Sequence, residues 1–193
     1  MEMNDLQDLL VENLKDLYSA ETQILKALPK VAKKVENDQL RDALQMHLRE
    51  TENQVKRLDQ VLSKMGEKSG GKKCHGMEGL LEEAKELMGE DAEPEVMDAG
   101  LIVDCQKVEH YEIAGYGSAV TFAKLLGDEE SARLLAQSLD EEETADKMLT
   151  QIAEELFLSI KTVATYRTRV LSKMHMQSNA ELTRYAVQNN LIE

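Results

Sequence analysis

Hydrophobic residues recur at intervals of three and four along four long segments, a spacing that predicts amphipathic helices. These segments cover roughly residues 5–36, 38–65, 95–126 and 129 to at least 153. The first stripe runs through Leu10, Leu14, Leu17, Ile24, Leu28, Val31 and Val35. Gly66 and Gly127 follow the second and third segments, where glycine commonly ends a helix. At about 1.5 Å per residue, each helix would span roughly 40 Å.

The connection between the second and third helices is long, about thirty residues ending at Pro94. It begins with the loop "GEKSGGKK" and contains the short helical pattern "MEGLLEEAKELM". Two helical hairpins joined by one long crossover predict an all-α fold, a ferritin-like four-helix bundle over residues 1–154. Residues 155–193 then form a separate C-terminal extension.

Polar side chains interrupt each apolar stripe near its middle, where a bundle is normally most hydrophobic. Buried carboxylates without cations would cost several kcal/mol each or become protonated. A pair of metal ions removes this cost, because acidic residues three or four positions apart can chelate or bridge hard cations. The candidate metal ligands are Glu21, Glu50, Gln54, Glu109, Glu112, Glu142 and Asp146.

Other interpretations of these residues stay open, since some of them could lie at the edge of a stripe and remain solvated. His47 lies on the second stripe, and we expect it to be a hydrogen-bonded inner histidine rather than a ligand. The second and fourth helices have no Glu-x-x-His motif. The predicted site is therefore rich in oxygen donors, which favours manganese or calcium over iron. The arrangement of acidic residues on four helices predicts a dinuclear centre of iron or manganese. No catalytic residue is predicted.

The last forty residues differ in charge from the rest of the chain, whose formal net charge is -14. From Phe157 onward there are five Lys/Arg and two acidic residues, against 18 and 35 before it. The acidic body would repel phosphate, whereas a basic module could meet nucleic acid locally.

The residues of this extension predict a helix-turn-helix. "IAEELF" reads as a short helix, "LS" as a turn, and "IKTVATYRTRVLSKM" as a longer helix with Ser159 as its N-cap. Basic and hydroxyl side chains near the start of a helix suit the major groove of DNA. The candidate DNA contacts are Lys161, Thr162, Thr165, Arg167, Arg169 and Lys173.

Five stretches of the body are similar, in order and spacing, to a known family. They are "LKDLYSAETQILKALPK", "LRETENQVKRLDQVL", "GKKCHGMEGLLEEAKEL", "DAEPEVMDAGLIVDCQKVEHYEIAGYG" and "LDEEETADKMLTQIAE". Residues of about 5–154 thereby resemble the YciE/YciF family of ferritin-like bacterial stress proteins. The resemblance implies a homodimer-forming, rubrerythrin-related bundle in the cytoplasm that is linked to stress responses.

"LFLSIKTVATYRTRVLSKM" followed by "SNAELTRYAVQNNLI" resembles the DNA-binding domain of LuxR/NarL-type transcriptional regulators over about residues 152–192. That domain has four helices, and its first has no counterpart here, because "LDEEETADKML" belongs to the bundle. We therefore expect the extension to pack as additional helix, burying Val163, Val170, Leu171, Leu182 and Val187, and to bind DNA weakly or not at all.

The remaining features place the chain in a reducing compartment. It has two cysteines, its N-terminus lacks the basic and apolar regions of a secretory signal, and no apolar run approaches a membrane span, so a cytoplasmic location is expected. Three functions are consistent with the sequence. They are a metal-binding stress protein that handles oxygen, peroxide or iron, a metal- or redox-responsive DNA-binding regulator, and a non-catalytic helical dimer.

Overall fold

The computed structural model describes the backbone of residues 3–173 and the side chains of residues 3–156. It contains five helices and, within that range, no strand: α1 Leu6–Lys34, α2 Asp38–Lys64, α3 His75–Met88, α4 Pro94–Leu125 and α5 Glu129–Lys173. The chain divides into two compact units, Met1–Ala153 and Glu154–Glu193. The first unit contains α1 to α4 and the beginning of α5.

Local sequence signals fix where the helices begin and end. Asp5 and Asn37 are the N-caps of α1 and α2, and their side chains accept hydrogen bonds from backbone N–H groups three residues later. Gly66 and Gly127 follow α2 and α4 with φ angles of 78° and 74°, in the left-handed region that favours glycine. These two positions let the chain turn sharply after each helix.

One large apolar cluster contains residues from several helices of the bundle. Leu10, Leu14 and Leu17 of α1 pack with Leu58 of α2 and Leu135 of α5 in one buried cluster. Helices α1 and α4 approach so closely at Gly115 that a Cβ atom on this residue would lie only 2.7 Å from Cδ2 of Leu17. Glycine at this position therefore permits the contact between the two helices.

Two buried polar contacts attach the connections to the bundle. The Ser19 hydroxyl accepts a 2.8 Å hydrogen bond from the Cys74 backbone N–H, which fixes the start of α3 against α1. The buried carboxylate of Asp98 on α4 accepts hydrogen bonds of 3.1 and 2.7 Å from the backbone N–H groups of Glu36 and Asn37. It thereby satisfies donors in the turn between α1 and α2 that would otherwise be unpaired.

The predicted fold class is confirmed, with all four long helices and the short crossover helix present. The predicted turn at Leu158 and Ser159 is wrong, since α5 continues through both residues to Lys173. The physical reason is that residues 155–173 contain neither glycine nor proline, so nothing in the sequence forces the helix to end. The five tail side chains that are predicted to be buried lie outside the described side chains, and the "SNAELTRYAVQNN" segment lies outside the described backbone.

We predict that Asp98→Ala lowers the free energy of unfolding by about 2–3 kcal/mol, because two hydrogen bonds to a buried charged acceptor are lost. Urea denaturation followed by circular dichroism measures this change. Asp91→Ala, at an exposed loop position, is the matched control and should stay within about 0.5 kcal/mol of the unsubstituted protein. Equal losses in the two variants would contradict the assigned role of Asp98.

Candidate metal centre

Four helices direct polar side chains into the middle of the bundle. Spacings of three, four and seven residues put them on the inner faces, so each lies among the apolar positions of its own stripe. Nine-tenths or more of each is buried: Glu21 from α1, His47 and Gln54 from α2, Glu109 and Glu112 from α4, and Glu142 from α5.

Four of these residues form a compact group, which we call the His47 cluster: His47, Glu109, Glu112 and Glu142. Each offers one nitrogen or oxygen atom, and these atoms all lie within 4.8 Å of one another. Nε2 of His47 is 3.4 Å from Oε1 of Glu109 and 4.0 Å from Oε2 of Glu142. One ion could therefore be reached by all four side chains with small rotations.

Hydrogen bonds hold the surrounding side chains in place. The Tyr116 hydroxyl donates to Oε1 of Glu21, and the Gln54 amide donates to Oε1 of Glu142. The same amide donates to Glu141 at 3.1 Å, and Arg57 binds Glu141 with both of its terminal nitrogens at 2.7 and 2.6 Å. The Glu21 and Glu142 carboxylates are thus oriented by fixed partners, as metal ligands usually are.

Several buried polar atoms of the site have no hydrogen-bond partner among the described residues. They include both carboxylate oxygens of Glu112, both ring nitrogens of His47, and one oxygen each of Glu21, Glu109 and Glu142. A buried polar atom without a partner costs free energy, so native proteins rarely leave so many together. Coordination of a cation would satisfy these atoms at once, and the residues present therefore fit a metal centre.

Burial and mutual repulsion shift the pKa values of the buried glutamates, and burial and neighbouring charges shift the pKa of His47. Desolvation, followed by the charge of Glu142, raises the pKa of Glu21 and of Glu109 well above its ordinary value. Desolvation and the charge of Glu21 do the same to the pKa of Glu112. Burial lowers the pKa of His47, but Glu50 and Glu142 outweigh it, and the net pKa is raised. A bound cation would oppose the rise in the carboxylates.

Two of the predicted ligands lie at the edge of the site. The Glu50 side chain is 28% exposed, and its Oε2 is 3.8 Å from Nδ1 of His47. The Asp146 side chain is 23% exposed and pairs with Nε2 of His110 at 3.2 Å. Neither belongs to the His47 cluster, although Glu50 lies next to it.

His47 is an inner residue, as predicted, but without the predicted hydrogen bond. It was expected to be hydrogen-bonded, whereas neither of its ring nitrogens has a hydrogen bond with suitable geometry. Its ring instead faces the carboxylates of Glu109 and Glu142. A search for Glu-x-x-His misses this residue because the order is reversed, with His47 three positions before Glu50.

All six candidate DNA contacts, which fall between Lys161 and Lys173, lie within helix α5. Their side chains are outside the described range, so no geometry supports a DNA interface at these positions. Among the helices described by the structure, none is both long and apolar enough to cross a membrane.

Two family descriptions match the chain. "Domain of unknown function (DUF892)" matches residues 5–160, and "Bacterial regulatory proteins, luxR family" matches residues 141–186. The second match begins before residue 152, where the resemblance to a DNA-binding domain was expected to start. It therefore includes the part of α5 that contains Glu142.

Relatives fall into the same two groups. Protein YciF of Escherichia coli K12 is 45% identical over 154 residues, which cover 79% of this chain and 93% of that protein. The oxygen regulatory protein NreC of Staphylococcus epidermidis is 43% identical over 42 residues, covering 22% of this chain and only 19% of NreC. The second similarity is thus confined to the C-terminal part of the chain.

Solved structures agree with the first group. The crystal structure of the E. coli stress protein YciF superposes with a TM-score of 0.78 at 43% identity, covering 80% of this chain and 98% of that one. A two-domain protein from Anabaena variabilis with a ferritin-like domain gives a TM-score of 0.53 at 14% identity, covering 79% of this chain and 37% of that one, and shows the fold alone. The chain belongs to the DUF892 family and is a YciF-like protein with a ferritin-like fold.

Proposed function

We propose that this protein is a stress-response protein whose bundle holds a dinuclear centre of iron or manganese and acts on oxygen, peroxide or iron. The observation that carries the proposal is the His47 cluster, in which buried donor atoms from three helices lie within 4.8 Å of one another. Carboxylates with a single imidazole are hard donors, which favour iron and manganese over softer metals.

Different residues would hold each of the two ions. His47, Glu109, Glu112 and Glu142 would hold the first. Glu21, which accepts a hydrogen bond from the Tyr116 hydroxyl, and the partly exposed Glu50 would supply carboxylates to a second. A bound redox-active metal would supply electron transfer and Lewis-acid chemistry. Gln54 and Arg57 position the acidic side chains of α5 and stay outside the ligand set.

Location and assembly are part of the same proposal. Similarity to a bacterial stress protein and two free cysteines, Cys74 and Cys105, favour the cytoplasm. The family resemblance favours a homodimer. A non-catalytic helical dimer is the competing function, and it requires that the His47 cluster bind no metal.

DNA binding is the second candidate function, and the luxR-family match over residues 141–186 favours it. The charge of the body opposes it, since 35 acidic and 18 basic residues precede Phe157. Such a charge repels a duplex over a Debye length of about 8 Å at physiological ionic strength. The candidate contacts Lys161, Thr162, Thr165, Arg167, Arg169 and Lys173 would have to overcome that repulsion.

We predict that the protein, loaded anaerobically with Fe(II) or Mn(II), retains about two ions per chain. Glu109→Gln/Glu112→Gln should retain less than half as much metal, because two donors of the His47 cluster lose their charge. Elemental analysis by mass spectrometry measures the content. Glu52→Gln, at an exposed position of α2, is the control and should match the unsubstituted protein. Absence of metal from the unsubstituted protein would contradict the proposal.

We predict that the metal-free protein loses stability as the pH rises from about 5 to 8. The folded protein holds the protons of Glu21, Glu109 and Glu112 more tightly than the unfolded chain does, so the stabilisation is complete below the ordinary value of 4.5 and is lost above it. Melting curves in chelator and in saturating Mn(II) measure the effect. Metal should reduce the pH dependence, because the ion replaces the protons.

Glu112→Gln separates this effect from the other titrating groups. At pH 8 without metal, it should raise the free energy of unfolding by about 1–3 kcal/mol, because a buried charge is replaced by a neutral amide. At pH 5 the gain should shrink, since Glu112 is then protonated. A gain of equal size at both pH values would contradict the assignment.

We predict weak or undetectable DNA binding by the full chain at physiological salt. Fluorescence anisotropy with a labelled duplex at 50 and 200 mM salt measures it, with Arg167→Ala/Arg169→Ala as the comparison. Sub-micromolar binding that falls steeply with salt and is lost in the variant would establish the regulator function instead.

A further inference from the structure

A groove lies on the surface between α1 and α3, with a volume of about 270 Å³. Its rim carries exposed charged side chains, among them Lys26 and Lys30 of α1 and Glu82 and Lys85 of α3. Its floor is formed by Ala27, Val31, Leu81 and Ala84. The groove is therefore charged at the surface and apolar at its base.

A second cavity lies beneath that floor and reaches the candidate metal centre. It has a volume of about 30 Å³, and its walls include Leu28, Leu101, Cys105 and Val108. His47 and Glu109 of the His47 cluster line it, and Asp104 is its other polar residue. Apart from these three polar residues and Cys105, the lining is hydrocarbon.

The two cavities share four lining residues, Ala27, Val31, Leu81 and Ala84. This common wall, which we call the neck, separates the open groove from the cavity beside His47. Two of its four residues are alanines, so the separation is made by small side chains. A path from solvent through the neck would end at the unpartnered ring nitrogens of His47.

The size and polarity of the inner cavity restrict what can use it. One water molecule needs about 10–15 Å³ measured in this way, so a cavity of about 30 Å³ accommodates a molecule of two or three heavy atoms. An ion would have to shed its water in an apolar neck at high cost. Among the four apolar residues of the neck, hydrogen peroxide would leave its hydroxyl groups without hydrogen-bond partners, whereas dioxygen has no hydrogen bonds to lose.

Two further cavities differ from this path in volume or in the lining residues that they share with it. A cavity on the other side of His47, lined by Ala43, Met46 and Met148 among others, has a volume of only about 10 Å³. A groove that includes Pro29 and Ala32 is larger, but it shares only Leu28 with the inner cavity and only Leu44 with the smaller one. The groove between α1 and α3 thus shares more lining residues with the inner cavity than the groove at Pro29 does.

We propose that the seam between α1 and α3 is the entry route for dioxygen to the metal centre, with Ala27 and Ala84 keeping the neck open. The inference rests on the proposed function for its reaction but not for its cavity. It gives the crossover helix α3 a role beyond connecting two hairpins, because α3 supplies Leu81 and Ala84 to the neck.

Xenon binding tests the route without metal, because dry apolar cavities take up xenon. Crystals of the metal-free full chain under xenon pressure should show xenon between Leu28, Leu101 and Val108. Ala27→Leu and Ala84→Leu should lower its occupancy at least threefold, and Ala32→Leu, a half-buried alanine on the same helix, should not. Absence of xenon from the unsubstituted protein would overturn the proposed cavity.

Stopped-flow oxidation of bound Fe(II) tests the route with its ligand. Two Fe(II) ions would together pass two electrons to one dioxygen, which takes up two protons and leaves as hydrogen peroxide. The rate should fall about fivefold or more in Ala27→Leu and Ala84→Leu at unchanged iron content. Ala32→Leu should keep the original rate, and xenon should slow the unsubstituted protein, which covers the case of variants that do not fold. Slowing by Ala32→Leu alone would place the route in the other groove, and slowing with peroxide but not dioxygen would overturn the choice of molecule.

The two experiments fail in different ways. A protein that binds no iron would contradict the proposed function, while the xenon result would still decide whether the cavity is accessible through the neck. A protein that binds and oxidises iron at equal rates in all three variants would keep the proposed function and overturn the route.

Discussion

The structure depends on four glutamates, Glu21, Glu109, Glu112 and Glu142, that meet inside one helical bundle with almost no access to water. Ionised together they would repel one another in a medium of low dielectric constant, and protonated together they leave polar atoms without partners. Either a set of protons or a set of cations must be present for the bundle to be stable. Protons serve this purpose while the pH stays below the raised pKa values of Glu21, Glu109 and Glu112. Under the proposed function a bound metal would neutralise these carboxylates above that pH, and stability and function would then depend on the same residues.

Burial of the apolar part of the bundle offsets the free-energy cost of the buried polar centre. Leu10, Leu14 and Leu17 pack against the other helices in the apolar cluster, where buried hydrocarbon favours folding by roughly 25 cal/mol per Å². Tyr116 joins the two regions, since its ring lies in the apolar cluster while its hydroxyl donates to Glu21. The close contact at Gly115 brings α4, with Glu109 and Glu112, against α1. A change in this core would therefore move Glu109 and Glu112 as well as lower the stability.

The sequence predicted the fold well because its main signal, the repeat of apolar residues, is the physical cause of bundle formation. It also predicted the burial of Glu21, Glu109 and Glu142, since each replaces an apolar residue within a stripe. It could not separate Glu50 and Asp146 from the inner ligands, because a helical stripe is about 100° wide and residues at its edge differ in depth by small rotations. The surroundings of His47 could not be predicted, because the carboxylates that face it come from α4 and α5, far away in sequence. The predicted turn at residues 158 and 159 is wrong because it took Ser159 as an N-cap, whereas no glycine or proline between residues 155 and 173 ends the helix.

The two family matches overlap over residues 141–160, and the overlap constrains what the C-terminal part can do. Ala145, Leu149 and Ile152 are buried within the first compact unit, and Glu142 contributes to the His47 cluster. These side chains cannot at the same time form the core of an independent helix-turn-helix domain. A DNA-binding domain assembled from residues 141–186 would need the beginning of its own core from a helix that the bundle already uses. The packing of the bundle and the core of a DNA-binding domain would therefore compete for one stretch of α5, and the burial of Glu142 assigns that stretch to the bundle.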